Sequence, residues 1–253
     1  MGGTAAVTLI NTTLSGNFTG SLGGGIRNGS GFGGGSTTLT LLSCTLSSNY
    51  APVVGGIMNI GHIDIENCIL NASNSSSNIS TFSGTVTSLG YNLCSDSGAG
   101  VLTNAGDQIN TDPLLGPLQD NGGPVFTHGL LAGSPAIDQG KNLSGDVTDA
   151  RGYPRTFDDP TIANAAGGDG TDIGAFEAFE LRITAVDRLG NDLRLSFTSL
   201  SGKTYELQSR SDSGSGTWNS LPGSIPGNGG IAQATVTNAF GQPQQFYRIH
   251  QLP

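Results

Sequence analysis

One eleven-residue phrase occurs three times near the start of this chain and constrains the fold more than any other feature. The copies occupy residues 7–17, 39–49 and 63–73. Apolar and polar residues alternate at the start of each copy, as Val7 and Leu9 show, and this pattern is typical of β-strands. Because so short a unit cannot bury its own apolar face, the copies are predicted to stack as coils of a parallel β-solenoid.

Stacking places equivalent residues of neighbouring coils side by side, about 4.8 Å apart. The first inward column is predicted to contain Val7, Leu39 and Ile63. Polar residues fall at the corner between the two strands of each copy, where their side chains can hydrogen-bond the backbone. These corner residues are Asn11, Ser43 and Asn67. Asn17 and Asn49 are predicted to form a second polar ladder.

Glycine-rich phrases follow the first two copies. They read Gly23-Gly-Gly-Ile-Arg-Asn28 and Gly55-Gly-Ile-Met-Asn59. Glycine permits the positive φ angles of tight corners, so the phrases are predicted to turn the coil and to return Ile26 and Ile57 to the core. A phosphate-binding loop is excluded because no Lys-Ser/Thr pair and no helical pattern follow.

The chain divides into three regions by composition. Residues 1–110 are predicted to be the coils, with exposed Gly-, Ser- and Asn-rich loops at 29–36 and 71–83. Residues 111–180 are rich in proline and glycine and are predicted to form a loop-rich cap over the last coil. Residues 181–253 contain short alternating segments separated by turns, which predict a small antiparallel β-sandwich. The predicted fold class is all-β.

The repeated strand with its Gly-Gly-Ile-x-Asn phrase resembles the polymorphic outer-membrane-protein type of bacterial right-handed parallel β-helix. Motifs at residues 112–124, 133–140, 149–155 and 172–177 resemble the closing segment of secreted choice-of-anchor β-helix proteins. The resemblance covers about residues 1–180. It implies a secreted or surface-anchored protein with a role in adhesion or carbohydrate contact. Residues 181–253 resemble C-terminal β-modules of secreted environmental bacterial proteins.

Composition limits the partners and the location. Only 11% of the residues are charged, compared with about a quarter in typical domains. The net charge of −9 argues against binding to nucleic acid or to anionic membrane surfaces. No signal peptide and no stretch long enough to span a membrane is present. We expect an extracellular or cell-surface protein whose first coils and signal peptide lie upstream, and whose partners are polysaccharides or cell-surface glycans.

Three cysteines cannot all pair with one another. Cys44 and Cys68 would point inward from adjacent coils, and directly paired neighbouring strands rarely suit disulfide geometry. Buried free thiols are therefore predicted. In the cap, Arg151 and Arg155 stand among many acidic residues and are predicted to be held by their carboxylates.

Few residues of the coils could catalyse a reaction. Asp64 and Glu66 are two residues apart on a strand and share its outward face, which makes them the best candidate pair of catalytic carboxylates. We interpret both as ordinary polar side chains exposed to solvent. His128 is assigned to the cap or to a groove. Trp218 is assigned to a core, with an exposed platform for stacking sugars as the alternative. Calcium is the one cofactor considered. Asp169 and Asp172, on a Gly-rich loop, are the residues that could ligate it, and ordinary turn chemistry is the favoured interpretation of the same Asp-Gly sequence.

These observations favour a non-catalytic secreted or cell-surface protein that acts as an adhesin or stalk with glycan contact. The alternative is a polysaccharide lyase or glycoside hydrolase with its site at Asp64 and Glu66 or in coils upstream. Exposed strand edges at the end of a solenoid also predict end-on self-association.

Overall fold

The computed structural model describes residues 3–29, 36–72, 77–200, 202–211, 214, 216–241 and 243–252. Two compact units are present, Met1–Ala178 and Phe179–Pro253. The described residues of both units are β-strands and loops, with two short 3-10 helices at Gly98–Gly100 and Ala239–Gly241. The all-β prediction is confirmed. No helix among the described residues has the length and apolar character needed to span a membrane.

Three parallel sheets build the first unit, and each turn of the chain adds strands to them in sequence. The first sheet contains β1 (Thr4–Ile10), β4 (Ser36–Leu42), β7 (His62–Glu66) and β10 (Thr85–Gly90). The second contains β2 (Thr13–Ser15), β5 (Thr45–Ser47), β8 (Ile69–Asn71) and β11 (Leu93–Cys94). The third contains β3 (Ile26–Asn28), β6 (Val54–Asn59) and β9 (Ser77–Thr81). The predicted stacking of parallel coils is confirmed.

The predicted column is present in register, with Leu39 and Ile63 buried and Val7, at its end, 52% exposed. Val7 pairs with Leu39, and Leu39 pairs with Ile63. A fourth rung, which the repeat did not reveal, continues the column with Val86. The sequence did not show this fourth rung because β10 has a bulge between Ser88 and Gly90. The extra residue shifts the alternation of apolar and polar residues that marks the other copies.

The interior of the coils is closely filled by aliphatic side chains and thiols. Leu41, Ile57 and Ile65 are among its fully buried members. All three cysteines are free and buried, as predicted. Cys44 and Cys68 occupy equivalent positions on adjacent coils. Cys94 lies beside Leu70 in the second sheet, so it belongs to a different inward column from the other two.

The corner residues form a second column with a shared backbone conformation. Asn11, Ser43, Asn67 and Tyr91 have φ values of 49°, 49°, 50° and 56°. Asparagine adopts this left-handed region more readily than most residues. Asn67 donates from Nδ2 to Ser43 Oγ at 3.2 Å. The corner position is as predicted, but these side chains bond a neighbouring side chain and the backbone of residues 148 and 172 rather than the corner backbone. The second ladder is also present, because Asn17 donates to Asn49 Oδ1 at 2.9 Å.

The glycine phrases return Ile26 and Ile57 to the core as predicted, but most of their glycines do not form corners. Their last residues form strands of the third sheet, and of the five glycines only Gly23 has a positive φ, 74°. A Cβ at Gly24 would overlap the carbonyl of Tyr50, and a Cβ at Gly56 would overlap that of Asn78. Close approach of neighbouring coils, rather than corner geometry, therefore requires glycine there.

The predicted loops are only partly loops. Residues 77–81, placed in the second predicted loop, form β9 and pair with β6. Residues 30–35 and 73–76, the centres of the two predicted loops, lie outside the described residues.

Residues 95–110 close the last coil. Leu102 is 3% exposed and joins the solenoid core. The Gln108 backbone N–H donates to the Asn92 carbonyl at 2.7 Å. This short segment, rather than the predicted cap, covers the end of the core.

Residues 111–178, here called the side segment, lie along the outer face of the second sheet. Its hairpin contains β12 (Leu115–Gln119) and β13 (Thr127–Leu130). Ala136 and Ile173 pack against Ile69 and Leu93. The corner residues also hold it: Asn11 donates to the Thr148 carbonyl, Asn67 to that of Asp172, and Tyr91 to that of Ala166. The prediction that this region caps the last coil is corrected, because its contacts run across all four coils.

The second unit contains two three-stranded antiparallel sheets with a shared core, which confirms the predicted sandwich-like module. One sheet contains β14 (Ile183–Leu189), β15 (Asp192–Thr198) and β18 (Ile231–Val236). The other contains β16 (Thr204–Arg210), β17 (Asn219–Pro226) and β19 (Phe246–Gln251). Phe197 of one sheet contacts Tyr205 of the other at 5.4 Å between ring centroids.

Candidate functional site

A groove of about 450 Å³ lies between the second sheet and the side segment. One wall consists of uncharged polar residues on three successive coils: Ser15, Ser47, Ser48 and Asn71. The other wall belongs to the hairpin of the side segment and includes Leu115, Leu118 and His128. The groove therefore presents hydroxyl and amide groups opposite apolar side chains.

The polar wall follows directly from the strand register. Ser15 pairs with Ser47, and Ser47 pairs with Asn71. Alternation along each strand turns these residues outward while their neighbours, such as Leu46, fill the core. A ladder of polar groups spaced about 4.8 Å apart results.

His128 is 6% exposed and is fixed at both ring nitrogens. Its Nδ1 lies 2.7 Å from the Gly116 carbonyl oxygen, and its Nε2 lies 2.8 Å from Ser15 Oγ. A carbonyl can only accept, so in the neutral ring Nδ1 carries the hydrogen and Nε2 accepts from the Ser15 hydroxyl. The assignment of His128 to the cap or a groove is confirmed.

Asp64 and Glu66 differ strongly in exposure although they share the outward face of β7. The Asp64 side chain is 31% exposed, and its Oδ1 lies 3.0 Å from His62 Nε2. Glu66 is 4% exposed. Burial raises the pKa of Glu66, although backbone contacts from Leu143 and Ser144 lower it. The interpretation of both residues as solvated is therefore wrong for Glu66, which a polysaccharide cannot reach while residues 143–144 cover it.

The predicted calcium ligands already accept hydrogen bonds from the backbone. Asp169 accepts from the N–H groups of Thr171 and Asn142, at 3.2 and 3.1 Å. Asp172 is 1% exposed and accepts from the N–H groups of Asp138 and Ala178. Among the described residues, no three His, Cys, Asp or Glu side chains are grouped so that they could hold a metal ion. Calcium binding by Asp169 and Asp172 stays a prediction.

Both arginines of the side segment are buried and held as predicted. Arg151 Nη2 lies 2.8 Å from Asp149 Oδ2, and its guanidinium carbon lies 3.6 Å from the Phe176 ring centroid. Arg155 Nη1 lies 3.8 Å from Glu177 Oε2 and donates to the Gly174 carbonyl. These cations stabilise the side segment and are not accessible to a ligand.

Buried carboxyls surround Arg155. Burial raises the pKa of Asp172 to about 7, with a further contribution from the charge of Asp138. Burial and the neighbouring Asp172 raise the pKa of Glu177 well above its usual range. Because Arg155 supplies one positive charge to several carboxyls, this cluster retains a proton near neutral pH.

Trp218 is not a core residue, so that prediction is wrong. Its ring is half-buried, and the guanidinium carbons of Arg210 and Arg248 lie 4.4 and 4.5 Å from the ring centroid. Such cation–π contacts stabilise a ring at a surface.

The sequence did not reveal the contact between Ser15 and His128. The two residues are 113 positions apart, and neither belongs to a motif with defined spacing. The one available signal is the equivalence of Ser15 and Ser47 in the repeat, which marks both as outward-facing hydroxyls.

Comparisons with protein-family models, curated proteins and solved structures found no match to this chain. The architecture and the geometry of the groove therefore carry the functional inference.

Proposed function

We propose that this chain is a secreted or surface-displayed β-solenoid that binds a neutral glycan in the groove beside its second sheet. The observation that carries the proposal is that Ser15, Ser48 and Asn71 line the groove together with Leu115 and Leu118. Ser47, the middle residue of the ladder, is 2% exposed and contributes little surface. Sugars present hydroxyl groups along their edges and apolar C–H groups on their faces. A polar ladder opposite an apolar wall complements both features.

Charge favours a neutral glycan over an acidic one. The groove-lining residues include no Asp, Glu, Lys or Arg, and the chain carries a net charge of −9. An acidic polysaccharide would meet long-range repulsion without a compensating cation. The resemblance to polymorphic outer-membrane-protein and choice-of-anchor β-helix proteins supports display outside the cell and a role in adhesion.

Glycan binding by the groove can be tested with matched leucine variants. Leu118 and Leu89 are 43% and 40% exposed, but only Leu118 lines the groove while Leu89 lies on β10. A panel of neutral and acidic oligosaccharides is titrated by calorimetry against the wild type, Leu118→Ala and Leu89→Ala. We expect a neutral oligosaccharide to bind, with affinity at least fivefold weaker for Leu118→Ala and unchanged for Leu89→Ala.

Failure of every neutral oligosaccharide to bind would overturn the proposal. Equal weakening by both leucine variants would also do so, because binding would then not depend on the groove.

A further inference from the structure

The groove contains a hydroxyl and an imidazole in the arrangement used for nucleophilic catalysis. Ser15 Oγ lies within hydrogen-bonding distance of His128 Nε2, and the opposite ring nitrogen is held by the Gly116 carbonyl. A nucleophile, a base and a group that orients the base are the three components of such sites, whatever the fold that supplies them. We propose that Ser15, activated by His128, hydrolyses carboxylic esters, and that acyl esters on the groove-bound glycan are its substrates.

Local structure holds the pair in this geometry. His128 lies on β13 directly opposite Leu118 of β12, and its low exposure restricts rotation of the ring. Ser15 is half-buried at the end of β2 and lines the groove, so a ligand in the groove can reach its hydroxyl. The hydrogen on Nδ1 leaves the Nε2 lone pair directed at the nucleophile, as a general base requires.

The reaction balances with water as the only second reactant. Ser15 Oγ attacks the ester carbonyl carbon while His128 Nε2 takes the hydroxyl proton. The tetrahedral intermediate expels the sugar alkoxide, which receives that proton from Nε2, and an acyl-Ser15 ester remains. Water then attacks this ester, Nε2 takes a proton from the water, and the proton returns to Ser15 Oγ as the carboxylic acid leaves.

The next coil supplies two further hydroxyls, buried Ser47 and exposed Ser48, which the proposal assigns to the intermediate. Ser47 pairs with Ser15, and the Oγ atoms of Ser47 and Ser48 are 3.4 Å apart. Because one of these hydroxyls donates to the other, the second retains a hydrogen for the developing oxyanion.

The same geometry disfavours two other reactions. Hydrolysis of a glycosidic bond by the usual route needs two carboxyls, and the groove-lining residues include none. A carbonyl that orients His128 carries no full negative charge, so it stabilises the imidazolium less than a carboxylate would. Esters, with their better leaving groups, therefore suit the pair better than amides.

The activation of Ser15 can be measured without knowing the natural ester. In Ser15→Cys, His128 should promote thiolate formation and accelerate alkylation by iodoacetamide. Ser80→Cys is the matched control, because Ser80 is also a half-buried strand serine but lies on β9 of the third sheet. We expect alkylation at pH 7 to be at least tenfold faster for Ser15→Cys. Adding His128→Asn, whose amide can still donate to Gly116, should return the rate to that of Ser80→Cys.

Wild-type chemistry is tested with a fluorophosphonate probe and with p-nitrophenyl acetate. We expect the probe to attach to Ser15, located by peptide mass spectrometry, and ester hydrolysis to fall at least tenfold in Ser15→Ala. Equal alkylation rates for the two cysteine variants, or absence of the probe from Ser15, would overturn the proposal.

The choice of glycan esters as substrates rests on the proposed glycan binding. The experiments distinguish failure of the esterase proposal from failure of the glycan-binding proposal. Binding of a neutral oligosaccharide by the wild type, with no probe attached to Ser15, would overturn only the esterase. If the probe labels Ser15 but no oligosaccharide binds, the proposed glycan binding is overturned, and with it the proposal that the ester substrate is carried on a glycan.

Discussion

At the scale of single residues, burial protects the three thiols of the coils from alkylation. Cys44, Cys68 and Cys94 are each 0% exposed. Burial raises the pKa of Cys94 to about 12 and that of Cys68 well above its usual range. The pKa of Cys44 is instead lowered, mainly by its hydrogen bond with Cys68, so lack of exposure alone protects this thiol. Since alkylation needs an accessible thiolate, we expect no reaction with iodoacetamide at pH 7 in the folded protein and three alkylated cysteines in guanidinium. Intact-mass spectrometry distinguishes these states, and rapid modification of the folded chain would contradict the expectation.

The carboxyl cluster around Arg155 makes stability depend on pH. The pKa of Asp172 rises from the usual 3.8 to about 7. Between these values the folded state holds a proton that the unfolded state has lost. The free energy of unfolding therefore decreases as pH rises from about 4 to about 7, by on the order of a few kcal/mol.

Thermal melts at pH 5 and pH 8 test this dependence. We expect a higher melting temperature at pH 5 for the wild type and a smaller difference between the two pH values for Asp172→Asn, which cannot ionise. Asp120→Asn is the control, because Asp120 is an exposed acid of the same side segment. An undiminished pH difference in Asp172→Asn would show that other groups cause it.

At the scale of elements, the spacing between coils depends on glycine where two backbones meet. A Cβ at Gly56 of β6 would overlap the Asn78 carbonyl of β9. Gly56→Ala should therefore force the two strands apart and lower the free energy of unfolding by about 3 kcal/mol. Gly20→Ala, with no atom within 4 Å of the new Cβ, should change it by less than about 0.5 kcal/mol. Urea denaturation measures both, and equal effects would refute the close-approach explanation.

Elements were predictable where a local pattern was regular. The inward alternation of Leu39 and Leu41 identified β4, and the matching phrases identified its neighbours in the first two sheets. β9 was missed because its Ser-Asn-Ile-Ser-Thr sequence resembles the polar loop that precedes it. β17 lacks a regular alternating pattern and contains Pro222, which is tolerated because the strand lies at an edge of its sheet.

At the scale of the whole molecule, β1 is an edge strand of the first sheet among the described strands. Among the described strands, β1 pairs with β4 alone, and Val7 on β1 is 52% exposed. Such edges favour association with another chain. We expect the sedimentation coefficient to increase with protein concentration.

A lysine on this edge should prevent the association, because a charge there opposes strand pairing. We expect Val7→Lys to sediment as a monomer at concentrations where the wild type associates. Val53→Lys is the control, since Val53 is 59% exposed and lies outside β1. Association unaffected by Val7→Lys would place the contact elsewhere.

The candidate site was less predictable than the fold. The outward position of Ser15 follows from the repeat, whereas its contact with His128 depends on where the side segment packs. The same packing covers Glu66, which the alternation in β7 alone places in solvent. Neither outcome can be inferred from local spacing, because the contacting residues are far apart in the chain.

By itself, the sequence determined the stacked parallel coils, the inward column through Val7 and Leu39, the asparagine corners and the buried free thiols. These features depend on alternation and repetition, which act between near neighbours and between equivalent positions of adjacent coils. Only the tertiary structure decided that residues 111–178 lie along the side of the solenoid and create the groove. That arrangement depends on long-range contacts such as Ile173 with Ile69, whose free energy comes from burial after the chain has folded back on itself.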